Sequence, residues 1–227
     1  IVCWFVMHKR YKAYRAGFVS AALKLTKLKY LNVQSLPISL QMGMESGAFT
    51  MSGIMAGWLS ATDLATYQVM ITISGLGFLL YYSFGSGITI RVAHFVGQRD
   101  WYGVRQTGYA GMFILLVMAA IVSAIFFFMG DFVVHCFTND LAVISLALTL
   151  IPPLVLYQLG DSMQICYANA LRGTSRVSSM MWIAFISYVV INIPLAYLLA
   201  FTLHMGIMGI YLAFSGGLFV AASMFAF

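Results

Sequence analysis

Residues 37–58 read PISLQMGMESGAFTMSGIMAGW, a window with a single charge, Glu45. As a helix rising 1.5 Å per residue it measures about 33 Å, enough to cross a hydrocarbon core about 30 Å thick. A carboxyl group at bilayer depth costs roughly 2.5 to 3.5 kcal/mol on insertion scales, so Glu45 needs a reason to be there. A second window, residues 141–171, encloses Asp161 in the same way.

Working outward, the whole chain shares this character. Hydrophobic residues make up 62% and charged residues 8%, against roughly 25% charged in a soluble domain. The chain is an integral membrane protein. Its net charge of +6 does not point to nucleic acid, because the basic residues cluster beside apolar spans and form no stripe interleaved with aromatics. Membrane lipids are the expected partner of that charge. The chain opens within an apolar run, residues 1–7, and stops without a polar tail, so we expect a piece of a longer polypeptide. No signal peptide is read at the start, since the basic residues follow the apolar run.

Windows of spanning length occur at residues 37–58, 64–90, 106–129, 141–171, 177–201 and 206–227. They lack period-two alternation and are too long for barrel strands, which predicts helices. The expected fold is all-α: a bundle of six transmembrane helices over residues 36–227. Residues 1–7 read as the end of a preceding transmembrane helix and residues 8–35 as a linker between the two.

Placing the loops alternately on two sides puts all twelve Lys and Arg on one side, within residues 8–35, 91–105 and 172–176. The opposite loops carry none, and hold Asp63, Asp131 and Asp140. The positive-inside rule makes the basic loops cytoplasmic and predicts a multi-pass protein of the inner (plasma) membrane. Between residues 16 and 33, Phe18, Ala22, Leu25 and Leu28 recur at helical spacing with Lys24 and Lys27 opposite. This fits an amphipathic helix on the inner leaflet or a linker with snorkelling lysines. Gly43 with Gly47, and Gly53 with Gly57, allow close backbone approach to a neighbouring helix. Pro152, Pro153 and Pro194 interrupt helices.

Glu45 lies eight residues from residue 37 and Asp161 ten residues from residue 171, both at the cytoplasmic ends of their spans. These are depths of about 12 and 15 Å, near mid-bilayer, so the two carboxyls can share one cavity. Gln41 and Ser52 lie one and two turns from Glu45, and Tyr157, Gln158 and Gln164 one turn from Asp161, on matching faces. Two carboxylates with amide and hydroxyl oxygens suit a hard cation such as sodium. The same pair, desolvated and close together, can instead hold a proton. Metal ligation is therefore assigned to Glu45 and Asp161 only for sodium, and no other cofactor is expected. The cysteines at 3, 136 and 166 indicate no disulfide framework. His8, His94, His135 and His204 form no ligand spacing with Cys or Asp.

Several segments together resemble a known family. Leu36-Pro37-Ile38 through Gln41, Glu45-Ser46-Gly47-Ala48-Phe49 and Gly57-Trp58-Leu59 resemble the seventh helix of the multidrug and toxic compound extrusion (MATE) transporters. Arg91-Val92, Val96-Gly97-Gln98, Phe137-Thr138-Asn139-Asp140, the stretch around Asp161 and Ala170-Leu171-Arg172-Gly173 are similar to the same family in the same order. The resemblance covers nearly the whole chain. It implies the carboxy-terminal six-helix lobe of a twelve-helix transporter, with the amino-terminal lobe of the same polypeptide as its partner. It also implies that Glu45, Asp161 and Tyr157 form the cation site of sodium-coupled members. Proton-coupled relatives often rely on an aspartate in the other lobe, so the resemblance leaves the coupling ion as Na+ or H+.

The expected function is secondary antiport, in which entry of that ion drives efflux of an amphipathic, cationic drug or metabolite. Phe78, Tyr81, Tyr82, Met42, Met44 and Met55 can line an adaptable apolar cavity for such a substrate, beside Gln41, Ser52, Gln158 and Gln164. The alternative is a flippase for a lipid or lipid-linked oligosaccharide. Against it, both buried charges are acidic and would repel an anionic headgroup. An intramembrane aspartyl protease needs two aspartates sharing a proton. Asp161 has no second intramembrane aspartate, so an enzyme is not expected.

Overall fold

The computed structural model describes residues 25–226 except Arg176. Residues 1–7 and most of the linker, 8–24, lie outside the described residues, as do the linker helix positions Phe18, Ala22 and Lys24.

Seven helical elements follow one another: α1 (Leu25–Leu59), α2 (Ala61–Gly97), α3 (Trp101–His135), α4 (Leu141–Thr149), α5 (Ile151–Gly173), α6 (Ser178–Thr202) and α7 (Gly206–Ala226). No strand occurs among the described residues. Four helices, α2, α3, α6 and α7, are long and apolar enough to cross a membrane on composition alone, and α4 with α5 makes a fifth if read as one broken span. The sixth, α1, is long enough at 35 residues but more polar. It carries Gln41, Glu45, Ser46, Thr50 and Ser52 within the quoted window. It enters the bundle by packing on α2 and α6. The helix runs unbroken through Pro37, so the boundary between linker and first span falls inside it.

Four of the six acids account for themselves at helix ends. Ser60 caps α2 by accepting from the Asp63 amide (3.0 Å), and its hydroxyl donates to the Asp63 carboxylate (2.6 Å). Asp100 accepts from the Gly103 amide at the start of α3, and Asp140 from the Ala142 amide at the start of α4. Each satisfies an orphan donor and faces the positive end of the helix dipole. Asp131 pairs with His135 one turn along (3.4 Å). Glu45 and Asp161 are left as the two acids inside spans.

The prolines act differently from one another. At α4–α5 the axis turns by 55°, and Pro152 and Pro153 sit in the first turn of α5, where their missing donors cost nothing. The expected interruption at Pro194 does not occur. The preceding turns, Phe185–Asn192, open into a π-helix, and the Ile193 amide reaches back five residues to the Tyr188 carbonyl. This shifts the hydrogen-bond register just ahead of the proline and keeps α6 continuous.

Helix α5 is the centre of the bundle, packed against α2, α3 and α7. Its stretch 157–169 is almost entirely buried. Small residues set the approaches: a Cβ on Gly173 would meet the Thr89 carbonyl oxygen at 2.8 Å, and one on Gly209 would meet the backbone of Leu199 and Ala200 at 2.7–2.8 Å. The glycine pairs of α1 divide. Gly53 faces the Tyr67 ring at 3.2 Å, but nothing lies within 4 Å of Gly43 or Gly47. That first pair therefore makes no close helix contact among the described residues, because its face points out of the bundle.

Candidate cation site and cavity

Helices α1, α2, α5 and α6 bring their polar residues to one buried region. Asp161 is 2% exposed, and Tyr81 of α2, Tyr157 of its own helix, Tyr188 of α6 and Glu45 of α1 all lie within electrostatic reach of it. Glu45 and Asp161 are within electrostatic reach of each other, but only Glu45 lines the neighbouring cavity, Asp161 being buried between helices. Two negative charges there repel unless a cation or proton joins them.

Glu45 has a partner of its own. The Gln41 side-chain amide donates to the Glu45 carboxylate at 3.2 Å, and the Arg172 guanidinium donates to the Gln41 carbonyl oxygen at 2.9 Å. Gln41, 1% exposed, thus bridges a positive and a negative group that do not touch. On sequence Arg172 reads as a loop residue. The structure places it in the last turn of α5, with its side chain folded inward and its Nε buried without a partner among the described residues.

Several oxygens around the acids are also without partners. Among the described residues, one Asp161 carboxylate oxygen, the Tyr81 hydroxyl, both ends of the Gln158 amide and both ends of the Asn192 amide are buried and make no hydrogen bond, while the Tyr188 hydroxyl faces Glu45. Buried polar atoms normally find partners, and each exception costs about 1 to 3 kcal/mol. Gln158 packs against Gly77, where a Cβ would lie 2.6 Å from its amide nitrogen. Asn192 packs against Gly217. A concentration of unpaired hard oxygens beside two carboxylates fits a small cation, a proton or ordered water. No cluster of three or more His, Cys, Asp or Glu is found among the described residues. A cation here would therefore rely on Glu45, Asp161 and neutral oxygens such as Tyr157.

A cavity of about 250 Å³ opens beside this region, between α1 and α2, lined by Met42, Glu45, Phe49, Ser74, Phe78 and Tyr157 among others. A neighbouring groove of about 440 Å³, sharing Phe49 and Ile71, continues toward Leu64. Of the residues expected to line a cavity, Phe78 and Met42 do so, and the cation candidates Glu45 and Tyr157 form part of the wall. Gln41, Ser52, Tyr81, Gln158 and Gln164 do not. They are buried between helices, because helical spacing places them on the inward side of α1, α2 and α5. Met55 is core, while Tyr82 stacks on Phe78 at 5.5 Å. Phe49 stacks on Phe214 of α7 at 4.6 Å and meets the Tyr157 ring edge-on at 6.5 Å.

Sequence reasoning passed over Tyr188 and Asn192. Their signal was present: two polar residues one turn apart in an apolar span, just before Pro194, repeating the spacing of Tyr157 and Asp161.

Comparison with known proteins identifies the scaffold. A family model described as MatE matches residues 37–198. A probable multidrug resistance protein NorM of Xanthomonas campestris pv. campestris is 34% identical over 187 residues, covering 82% of this chain and 41% of the relative. The multidrug resistance protein NorM of Aliivibrio fischeri is 29% identical over 191 residues, covering 82% and 42%. Among solved structures, the eukaryotic MATE transporter AtDTX14 superposes with a TM-score of 0.84 at 20% identity, over 90% of this chain and 47% of that one. A MATE protein in a bent conformation gives 0.77 at 19% identity, over 85% and 43%. These structures share the fold, and the chain spans less than half the length of the relatives named. A multi-pass helical bundle built around α5, with the family model matched from the quoted window into α6, makes this chain a member of the MatE family of transporters.

Proposed function

We propose that this chain is the carboxy-terminal lobe of an antiporter that couples entry of Na+ or H+ to efflux of an amphipathic cation. The observation that carries the reading is the placement of Glu45 and Asp161. They are the two acids with no helix-end role, and both turn toward one cluster with Tyr157 and Tyr188. Intramembrane carboxyls facing a bundle interior mark ion or substrate pathways.

In this reading Glu45, at the cavity wall, receives the ion first. Asp161, behind Tyr157, completes the site, and the ion relieves the repulsion between the two acids. Helices α1, α5 and α6 then draw together around it. Movement of one charge across 100 mV supplies roughly 2.3 kcal/mol, enough for about a fiftyfold concentration ratio. The cavity is smaller than the roughly 300 to 1,000 Å³ of drug-sized sites. It therefore serves as half of a substrate cleft, completed by the amino-terminal lobe facing the α1–α2 groove. The aromatic walls Phe49, Phe78 and Tyr157 suit an organic cation. The printed names of the NorM relatives support drugs as substrates. The basic loops lie on the cytoplasmic side of the plasma membrane by the positive-inside rule. A flippase for anionic headgroups fits less well, since the charge at the cavity wall is negative.

The test is efflux by the full-length protein in proteoliposomes under separately imposed sodium and proton gradients. Asp161→Asn should lose the response to the gradient that drives the wild type. Wild-type efflux by this variant under both gradients would refute the assignment.

A further inference from the structure

We infer that the groove between α2 and α3 is a binding site for one anionic phospholipid of the leaflet that the basic loops face. The groove, about 400 Å³, lies on the opposite side of α2 from the cation cavity. Its walls are Phe84, Ile88, Ala110, Ile114 and Leu115, and at its end stand Arg91 and Gln106. It is apolar along its length and cationic at its mouth, which matches an acyl chain carrying a negative headgroup.

Three further observations place that mouth at headgroup level. Helix α2 has 37 residues, about 55 Å, so its last turns extend beyond a core about 30 Å thick, and Arg91 lies in this stretch. Trp101 and Tyr102, 66% and 71% exposed, begin α3 at the same end, where aromatic side chains mark the membrane–water interface. Arg91 forms no ion pair among the described residues. Its guanidinium lies over the Phe95 ring at 5.5 Å, which holds it against the groove. The nearby carboxylate of Asp100 is engaged in capping α3, and Arg99 and Arg105 add positive charge on either side of it. The groove is also open. A Cβ added at Gly87, in its wall, meets nothing within 4 Å, and Ile114 opposite is 45% exposed.

The test uses the full-length protein, purified and delipidated, with lipid retention read by native mass spectrometry. Phosphatidylglycerol and phosphatidylcholine of identical chains are compared, with inorganic phosphate as the free-anion arm. The wild type should retain one phosphatidylglycerol in preference to phosphatidylcholine. Arg91→Gln should weaken that preference about fivefold, the effect of one basic residue near a headgroup. Gly87→Trp, and independently Ile114→Trp, should fill the groove and release the lipid while leaving ion-driven efflux intact. Equal retention of both lipids, undiminished retention in the filled variants, or displacement of the lipid by phosphate alone would overturn the proposal. So would burial of the groove by the other lobe, seen as a Gly87→Cys thiol that no maleimide reaches even in the delipidated full-length protein.

Discussion

Arg172→Gln should tighten cation binding. The guanidinium bonds Gln41 at 2.9 Å and Gln41 bonds Glu45 at 3.2 Å, so the opposite charges stand at most about 8 Å apart across one amide. At an effective dielectric of about 20, that separation corresponds to about 2 kcal/mol of attraction, and about half as much where water reaches the half-buried arginine. This attraction competes with any cation arriving at Glu45. Neutralising Arg172 should therefore lower the half-saturating sodium concentration by between about fivefold and thirtyfold. Glutamine is two heavy atoms shorter than arginine, so the bond to the Gln41 oxygen is lost together with the charge, and a charge-preserving control is needed to separate the two. The assay is sodium titration of the purified full-length protein by calorimetry, with Arg172→Lys as the charge-preserving control. The lysine variant should stay within about threefold of wild type, since its charge reaches the same region. Unchanged or weaker sodium binding in Arg172→Gln, or equal tightening in the lysine variant, would refute the reasoning. A purely structural arginine would lower thermal stability without moving affinity in this direction.

Other outcomes follow from neighbouring contacts. Tyr81→Phe removes a buried hydroxyl beside Asp161 that has no hydrogen-bond partner among the described residues; thermal unfolding should show equal or greater stability, by up to about 1 to 3 kcal/mol, while ion-driven efflux falls. Gly209→Val sets a side chain against the Leu199 and Ala200 backbone, which no rotamer change relieves; a loss of about 1 to 3 kcal/mol or more should appear as a lower melting temperature, and wild-type stability would contradict the α6–α7 contact. Cys136 is exposed and Cys166 buried. In a Cys3→Ser background an impermeant maleimide added outside intact cells should label Cys136, whereas labelling only after permeabilisation would reverse the assigned orientation.

Much of this architecture was legible because membrane helices impose length and charge rules that a sequence cannot hide. The six windows, the inward Asp161 and the segregated arginines all follow from the cost of charge in hydrocarbon. What stayed hidden depends on tertiary partners. Arg172 lies one residue inside the end of α5, so loop and helix readings differ by a single turn. Its inward fold exists only because Gln41 waits on α1. The continuity of α6 past Pro194 rests on a π-turn, which leaves no mark in the pattern of apolar residues. Gly43 and Gly47 show the reverse: a spacing that permits close packing does not choose which face receives a neighbour.

The most direct test of the central claim, that Glu45 and Asp161 form one site, is a double-substitution cycle read by direct cation binding. Sodium binding and proton uptake would be measured on the full-length protein as wild type, Glu45→Gln, Asp161→Asn and the pair. A shared site predicts that each single variant loses nearly all of the binding and that the double variant loses no more, the strong non-additivity of groups acting together. Losses that simply add, each variant keeping binding at its remaining acid, would mean two separate sites and would contradict the account.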